Sequence, residues 1–352
     1  MVTEGTPFQI LAVSGGGYRG LHAAKVLADL EQKLGKSLCD HFDLLAGTSV
    51  GGLLILGLAS GHSAEYLLTL LQRRGPDVFK KRWILGGYAR ARHANTNLKR
   101  VLDEVFGELL LGELSVPVII PALDASTGKA VVLKTPHHQD FKYDHLWRVA
   151  DVALATSAAP VYFPIFKNPS NERLFVDGGL VANAPGHFAF HEATHFFGIK
   201  PELVRVLSVG TASVGRNVRA SGPWYAKAAR MVPGMRTLIG ADTFDKGILD
   251  WRTRLFDITI SAQESVTDYM LRHVLAKENY AHIDSKIDVE RAKDVAALDI
   301  CTPAATSTLL SQASATAQQA VSDPLVLSFF QHARRPYHPF YGPKAPSVIT
   351  TK

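Results

Sequence analysis

Apolar residues in the first part of the chain fall into two short runs. Each run is followed by a glycine cluster and then by apolar positions at helical spacing. Phe8 to Val13 reads as a buried strand that leads into Ser14-Gly15-Gly16-Gly17-Tyr18-Arg19-Gly20. Beyond it, Ala23, Leu27, Leu30 and Leu34 recur at steps of four, three and four, one stripe of an amphipathic helix. Phe42 to Ala46 is the second run. It ends in Gly47-Thr48-Ser49-Val50-Gly51 and continues into an apolar segment of helical length up to Ser60. Both stretches read as strand, sharp turn, helix.

Further on, Ser63 caps a helix through Leu71 that Gly75-Pro76 should end, and Thr96 caps another to Phe106. Val116 to Leu123 reads as a strand, and Asp124 to Gly128 as the turn of a hairpin returning along Ala130 to Leu133. A helix from His145 to Ala155 precedes a Pro-rich turn at 160–164, and Leu174 to Val176 is a strand that delivers Asp177. Leu203 to Val209 is a further buried strand. From about residue 213 the texture changes: a strand is expected at Leu255 to Ile260, and helices at Thr267 to Leu275, Asp288 to Ala297 and Ala304 to Val321. The end of the chain is Pro-rich and should be irregular. The pattern predicts an α/β protein.

With 352 residues, 47% apolar and 20% charged, the chain has the composition of an ordinary globular protein with room for one large α/β domain or a domain with a cap. Met1 to Pro7 lacks the basic start and apolar core of a secretory signal, and the longest apolar run is too short and Gly-rich to span a bilayer. Cys39 and Cys301 make no disulfide framework or metal pattern, which fits a reducing cytosol. A cytoplasmic protein is expected. The net charge of +6 is mild but uneven. Arg73, Arg74, Lys80, Lys81, Arg82, Arg90, Arg92, Lys99 and Arg100 face Asp77 alone, which suits a phosphate-bearing partner, lipid headgroup or nucleotide. Phe79, Trp83, Ile84, Leu85 and Tyr88 interleave with these charges as they would at a lipid–water interface. A solvated loop with local packing is the alternative.

Candidate chemistry sharpens this picture. Gly47 and Gly51 flank Ser49 at the spacing of a nucleophile elbow, where a tight turn excludes bulky side chains. Ser49 would then stand at a helix N-terminus, whose amides favour developing negative charge. Gly15-x-Gly17-x-x-Gly20 also fits a dinucleotide fingerprint, with Asp40 about twenty residues on as a ribose-binding acid. That acid should end a second strand, whereas Asp40 precedes the run 42–46. Taken together, two strand ends lying side by side let the first loop point its amides at Ser49 as an oxyanion hole. His191-Glu192-Ala193-Thr194-His195 is a literal zinc-protease motif with Gly198 in place, but the third histidine position is Pro201. A helix face carrying His187, His191 and His195 is expected there instead. No calcium loop or acidic cluster is visible, and no metal is expected.

Gly15-Gly16-Gly17-Tyr18-Arg19-Gly20, then Gly47-Thr48-Ser49-Val50-Gly51, then Asp177-Gly178-Gly179 resemble the three ordered motifs of patatin-like phospholipases. Ala155-Thr156-Ser157-Ala158-Ala159-Pro160-Val161-Tyr162-Phe163-Pro164 is similar to another stretch typical of that family. The resemblance implies a three-layer α/β/α fold with a mainly parallel central sheet. It implies a catalytic domain over 8–210, a mostly helical cap or regulatory portion over 211–335 and a tail over 336–352. It also implies Ser49 as nucleophile, Asp177 as its base with no histidine between, oxyanion donors from Gly16 and Gly17, phospholipid acyl esters as substrate, and no cofactor. A carboxylate in that role should be desolvated to become a better base. Arg19 would support the loop or meet a phosphate. Patatin motifs near the N-terminus with a helical C-terminal portion further resemble the phospholipase effectors of cyclic-oligonucleotide antiphage defence. That resemblance implies activation by a cyclic dinucleotide such as cyclic GMP-AMP and transient contact with the inner face of the membrane. Residues 73–100 and Arg216, Arg219, Lys227, Arg230 and Arg236 would be the phosphate-facing cations, no nucleic-acid polymer is a partner, and a homo-oligomer stays open. A dehydrogenase, a constitutive lipase and a binding protein on a dead hydrolase fold are the competing readings. The presence of both Ser49 and Asp177 disfavours the last.

Overall fold

β1 (Phe8–Val13) is buried along its whole length and lies between two parallel neighbours, β2 (Leu44–Gly47) and β7 (Val204–Val209). Its side chains alternate as a pleated strand requires: Phe8, Ile10 and Ala12 enter one core and Leu11 and Val13 the other. A parallel sheet covered on both faces has no solvated side, which is why these strands read as unbroken apolar runs. The computed structural model describes residues 5–82, 90–212, 248–288 and 290–346, with side chains from residue 256 on in the helix that starts at 248. Within them the sheet continues from β2 to β3 (Val118–Asp124) and from β7 to β8 (Tyr280–Ile283), all parallel. β4 (Lys129–Lys134), β5 (Phe166–Lys167) and β6 (Leu174–Asp177) join antiparallel, so the sheet is mixed. The antiparallel pairing sets Asp177 opposite Ala122 on β3.

α1 (Gly20–Leu34), α2 (Val50–Ala59), α3 (Ala64–Val78), α4 (Thr96–Phe106) and α5 (Val149–Thr156) share the core that contains Leu11 and Val13. α7 (Gly186–His195), which follows the single turn α6 (Gly179–Ala182), covers the opposite face with Ala189 and Ala193. It is joined there by α8 (Ile248–Val274) through Leu271. The result is helix, sheet, helix. The Ser63 hydroxyl caps α3 by accepting the Tyr66 amide, yet the helix runs through Gly75-Pro76 to Val78. Pro76 has no amide for the Gln72 carbonyl, so the helix loses that one bond and ends two residues later, and Gly75 makes room for the Tyr18 ring. The helix expected from His145 begins only at Val149, after a 3-10 turn at Asp144–Leu146.

The C-terminal portion departs most from expectation. Leu255 to Ile260, expected as a strand, lies inside α8. Phe256, Ile260, Thr267 and Leu271 are buried at steps of four, seven and four, a helical period invisible in a six-residue window. Tyr280–Ile283 is a strand that the helical texture hid. Among the described residues of Asp288 to Ala297, expected helical, the helical element is a 3-10 turn at Ala292–Val295. α9 (Pro303–Ala320) is capped by Thr302 and sets Ala305, Leu309, Ala313 and Ala317 into the same core as α1. Residues after 211 therefore contribute a strand and a core helix as well as a helical covering. Trp83, Ile84, Leu85 and Tyr88, and the Arg216, Arg219, Lys227, Arg230 and Arg236 series, lie outside the described residues. Among the described residues no helix is long and apolar enough to cross a membrane.

Candidate active site

Ser49 links β2 to α2 with φ 53° and ψ −125°, a conformation that non-glycine residues hold at a cost of about 1–3 kcal/mol. The turn is kept this tight by contact: a methyl group on Gly51 would collide with the Val13 carbonyl, and one on Gly47 with the Gly51 carbonyl. Three hydrogen bonds hold it from behind. The Ser49 amide donates to Thr156 Oγ1 at 3.0 Å, the Thr156 hydroxyl donates to the Pro121 carbonyl at 2.6 Å, and the Thr48 hydroxyl donates to the Ala182 carbonyl at 2.6 Å. Thr156 thus gives the stretch 155–164 a role that its sequence did not disclose.

Asp177 ends β6 beside this turn. The Ser49 hydroxyl donates to its Oδ2 at 2.8 Å, and the Gly179 amide donates to its Oδ1 at 2.6 Å. Burial pushes the carboxyl up to about 7 even though both hydrogen bonds pull it down. His187, on the neighbouring helix, pairs with Thr267 rather than with Asp177. A group that titrates near neutrality can take a proton and return it within one turnover.

The first glycine loop lies across the mouth of the pair. The Gly15 amide donates to the Asn183 carbonyl at 2.9 Å, and the Gly15 carbonyl accepts from the Thr211 hydroxyl at 2.8 Å. The Tyr18 amide donates to the Leu298 carbonyl at 2.7 Å. Gly17 has φ 58°, and a side chain there would strike Leu298. Among the described residues the amides of Gly16 and Gly17 have no acceptor, and both residues line the same cavity as Ser49 and Asp177. Two amides without acceptors beside a hydroxyl nucleophile are what an oxyanion requires. Arg19 reaches the Ala212 carbonyl at 3.4 Å, and Gly20 opens α1. Asp40, the candidate ribose acid, sits on a 3-10 turn ahead of β2, at the end of the strands away from this loop, and its carbonyl holds the Arg334 amide. A dinucleotide on the loop would not meet it.

From the dyad an apolar cavity of about 110 Å³ runs between α2, α3 and α4, lined by Leu53, Leu71, Leu98, Leu102, Val105 and Phe106 among others. Leu98, Val101, Leu102 and Phe106 on α4 belong to the core and line the cavity as well.

Other candidates fall elsewhere. His191 and His195 stack with ring centres 5.1 Å apart, whereas Glu192 is buried, accepting from Lys134 Nζ at 2.7 Å and His137 Nε2 at 2.9 Å. The three residues of the motif therefore do not converge on one point. Within the basic segment, Arg74 pairs with Glu104 and Lys99 with Asp103. Arg92 and His93 both pair with buried Asp299, at 2.9 and 3.0 Å.

The chain matches the family model described as patatin-like phospholipase over residues 11–190. It is 43% identical over 341 residues, 96% of each chain, to the cGAMP-activated phospholipase of Pseudomonas aeruginosa strain BWHPSA011. It is 33% identical over 307 residues, 82% of each chain, to the protein of that name from Escherichia coli strain TW11681. Its identity to the protein of that name from Vibrio cholerae serotype O1 is 32% over 331 residues, covering 86% of this chain and 88% of that one.

Proposed function

The chain belongs to the patatin-like phospholipases, and from that premise we propose that Ser49 and Asp177 hydrolyse fatty-acyl esters of membrane phospholipids under the control of a cyclic dinucleotide such as cGAMP. The observation that carries this reading is the 2.8 Å Ser49–Asp177 hydrogen bond at the mouth of an apolar cavity. Ser49 Oγ attacks the ester carbonyl carbon while Asp177 takes its proton. The oxyanion that forms is held by the Gly16 and Gly17 amides; losing one such donor costs about 10²–10³ in rate. The carbon–oxygen bond to the lysophospholipid then breaks, and Asp177 returns the proton to that leaving oxygen. Water releases the fatty acid from Ser49. The cavity takes the acyl chain, which keeps the reacting carbonyl beside the dyad. Nucleophile, base and oxyanion donors are all protein groups, and we assign no metal or cofactor to the chemistry.

Control by a cyclic dinucleotide rests on the three relatives of that name, the first of which matches through 96% of both chains. We assign catalysis to residues 8–210, regulation to 211–335 and no role to the tail 336–352. The reaction takes place at the inner face of the membrane, where it would destroy the membrane of an infected cell. A nucleotide can switch the enzyme only by binding the active arrangement more tightly than the resting one. The test is fatty-acid release from phospholipid vesicles by the full chain and by Ser49→Ala, each with and without 3',3'-cGAMP and a panel of other cyclic di- and trinucleotides. Release that needs both Ser49 and a cyclic dinucleotide is expected. Release that no nucleotide alters would make the chain a constitutive lipase, and undiminished release by Ser49→Ala would remove the dyad.

A further inference from the structure

We propose that Asn183 Oδ1 positions the water that hydrolyses the acyl-enzyme, and that Gly179 lacks a side chain because one would stand where that water must sit. The inference rests on the reading that Ser49 becomes acylated. Asn183 is fully buried and lines the cavity of Ser49 and Asp177. Its Nδ2 donates to Glu264 Oε1 at 2.7 Å and to the Gly15 carbonyl at 3.3 Å. The Gly15 carbonyl can only accept, so Nδ2 stays on that side and the amide is not turned around. Its backbone is also engaged, the amide donating to Gln263 Oε1 and the carbonyl accepting from Gly15. Only Oδ1 has no donor among the described residues. A buried carbonyl oxygen is rarely left so without a function or a water to satisfy it.

Two glycines locate that oxygen. A methyl group on Gly179 would lie 2.9 Å from Asp177 Oδ1 and 3.2 Å from Asn183 Oδ1. A methyl group on Gly15 would meet Asn183 Oδ1 and stand 3.2 Å from Ser49 Cβ. Asn183 Oδ1 therefore faces the corner shared by both dyad side chains, and the missing Gly179 side chain leaves one carboxylate oxygen, Asp177 Oδ1, and one amide oxygen, Asn183 Oδ1, on either side of a gap too narrow for a methyl group.

Deacylation needs such a pair. Once the leaving oxygen has carried off the first proton, Asp177 is again a carboxylate and Ser49 Oγ is an ester oxygen with no proton to give. A water molecule has two protons, and one acceptor alone lets it rotate. With one proton on Asp177 and the other on Asn183 Oδ1, a lone pair is aimed at the acyl carbon. The oxygen–carbon bond forms as Asp177 takes its proton, while the Asn183 amide, which is no base, keeps only a hydrogen bond. The carbon–Oγ bond then breaks, Asp177 protonates Ser49 Oγ, and the fatty acid leaves.

Gly179→Ala tests the space and Asn183→Ala the acceptor. Gly179→Ala leaves the Asn183 contacts in place but sets its methyl 2.9 Å from Asp177 Oδ1, so Asn183→Ala, which adds no atom beside the base, is the variant that carries the test. In the vesicle assay with 3',3'-cGAMP, turnover by each variant should fall about a hundredfold, the penalty of misplacing a reacting group. Acyl-Ser49, followed by quenching and intact-protein mass spectrometry, should rise from a trace in the wild type toward one per chain in both variants, with its formation rate changed less than about threefold. A fall in turnover with no more adduct than the wild type would show slowed acylation and a structural role for both residues, overturning the inference. Wild-type turnover without any Ser49 adduct even in the variants, and undiminished in Ser49→Ala, would overturn the hydrolytic reading itself.

Discussion

Two aspartates mark the front and the rear of the catalytic corner, and burial acts on both. Asp177, at the front, has a serine hydroxyl and one backbone amide as its carboxylate's partners among the described residues, and burial carries its carboxyl up to about 7. Asp299, at the rear, is also buried, but hydrogen bonds and charge from His93 and Arg92 outweigh the burial and bring its carboxyl down to about 2. Asp299 adjoins Leu298, whose carbonyl holds the oxyanion loop through Tyr18. Front and rear thus divide the labour. The front keeps a charge poorly solvated so that it can act as a base, and the rear neutralises a charge so that it can hold a loop still.

Breaking the front should give the largest effect. Ser49→Ala and Asp177→Ala are each expected to lower kcat by about 10⁴-fold or more, and the double variant to be no worse than the poorer single one, because the two act as a unit. Circular dichroism should show the fold retained. If Asp177→Ala kept near-wild-type turnover, another base would be at work, with His187 the first to test.

Gly17→Ala tests the seam between the two regions. The new methyl would meet the Leu298 carbonyl in a backbone conformation with positive φ, so the loop must shift and misdirect its amides. The expected loss is about 10²–10³ in kcat, the worth of an oxyanion donor, with KM little changed. A variant with wild-type kcat would mean that the Gly16 and Gly17 amides do not meet the oxyanion.

At the rear, Asp299→Asn should matter for both stability and rate, but less. Arg92 and His93 both donate to Oδ2, so an Asn carbonyl oxygen placed there still accepts from both but no longer carries the charge that strengthens those bonds, a loss of about 1–3 kcal/mol in a urea titration. A drop in kcat of about tenfold should accompany it, since a loop held less firmly loses part of its orientation. Stability lost without any change in kcat would separate the rear from catalysis.

The same division explains what could be read in the sequence. The front is made of backbone constraints confined to a few residues, and each leaves a mark: Gly47 and Gly51 around Ser49, the glycines of 15–20, Gly178 and Gly179 after Asp177. The rear is made of pairs far apart in the chain. Nothing local says that the Leu298 carbonyl will meet the Tyr18 amide, that Asp299 will meet Arg92, or that Asn183 differs from any other asparagine in a loop. Leu255 to Ile260 fits both periods when taken alone, and only its burial in register with Thr267 and Leu271 makes it helical. Tyr280–Ile283 is four residues at the sheet edge with a histidine among them, too little pattern to stand out. Glu192 belongs to a motif by spacing, but a half-buried lysine and a buried histidine claim it.

The last effect concerns stability and distinguishes the two aspartates by sign. An unfolded aspartate titrates near about 3.9. With its folded value at about 7, Asp177 keeps a proton in the native state that the unfolded chain has already lost, so stability falls as pH rises between these values and stays reduced above them. Asp299, at about 2 when folded, does the reverse: its contribution is complete above the unfolded value and disappears only as pH falls toward 2. Asp177→Asn removes the buried charge but can still accept from Gly179 and face Ser49 with its amide. It should therefore be more stable than the wild type at pH 8, by at most about 4 kcal/mol, and keep only about 1.5 kcal/mol of that advantage at pH 5. Thermal melts of both proteins at the two pH values decide it. Wild-type kcat should rise over the same range with a midpoint near about 7, because the ionisation that weakens the fold is the one that makes Asp177 a base. A stability gap that does not change between pH 5 and pH 8 would mean that Asp177 is already ionised at the lower pH, and that the front of the corner solvates its charge as well as the rear does.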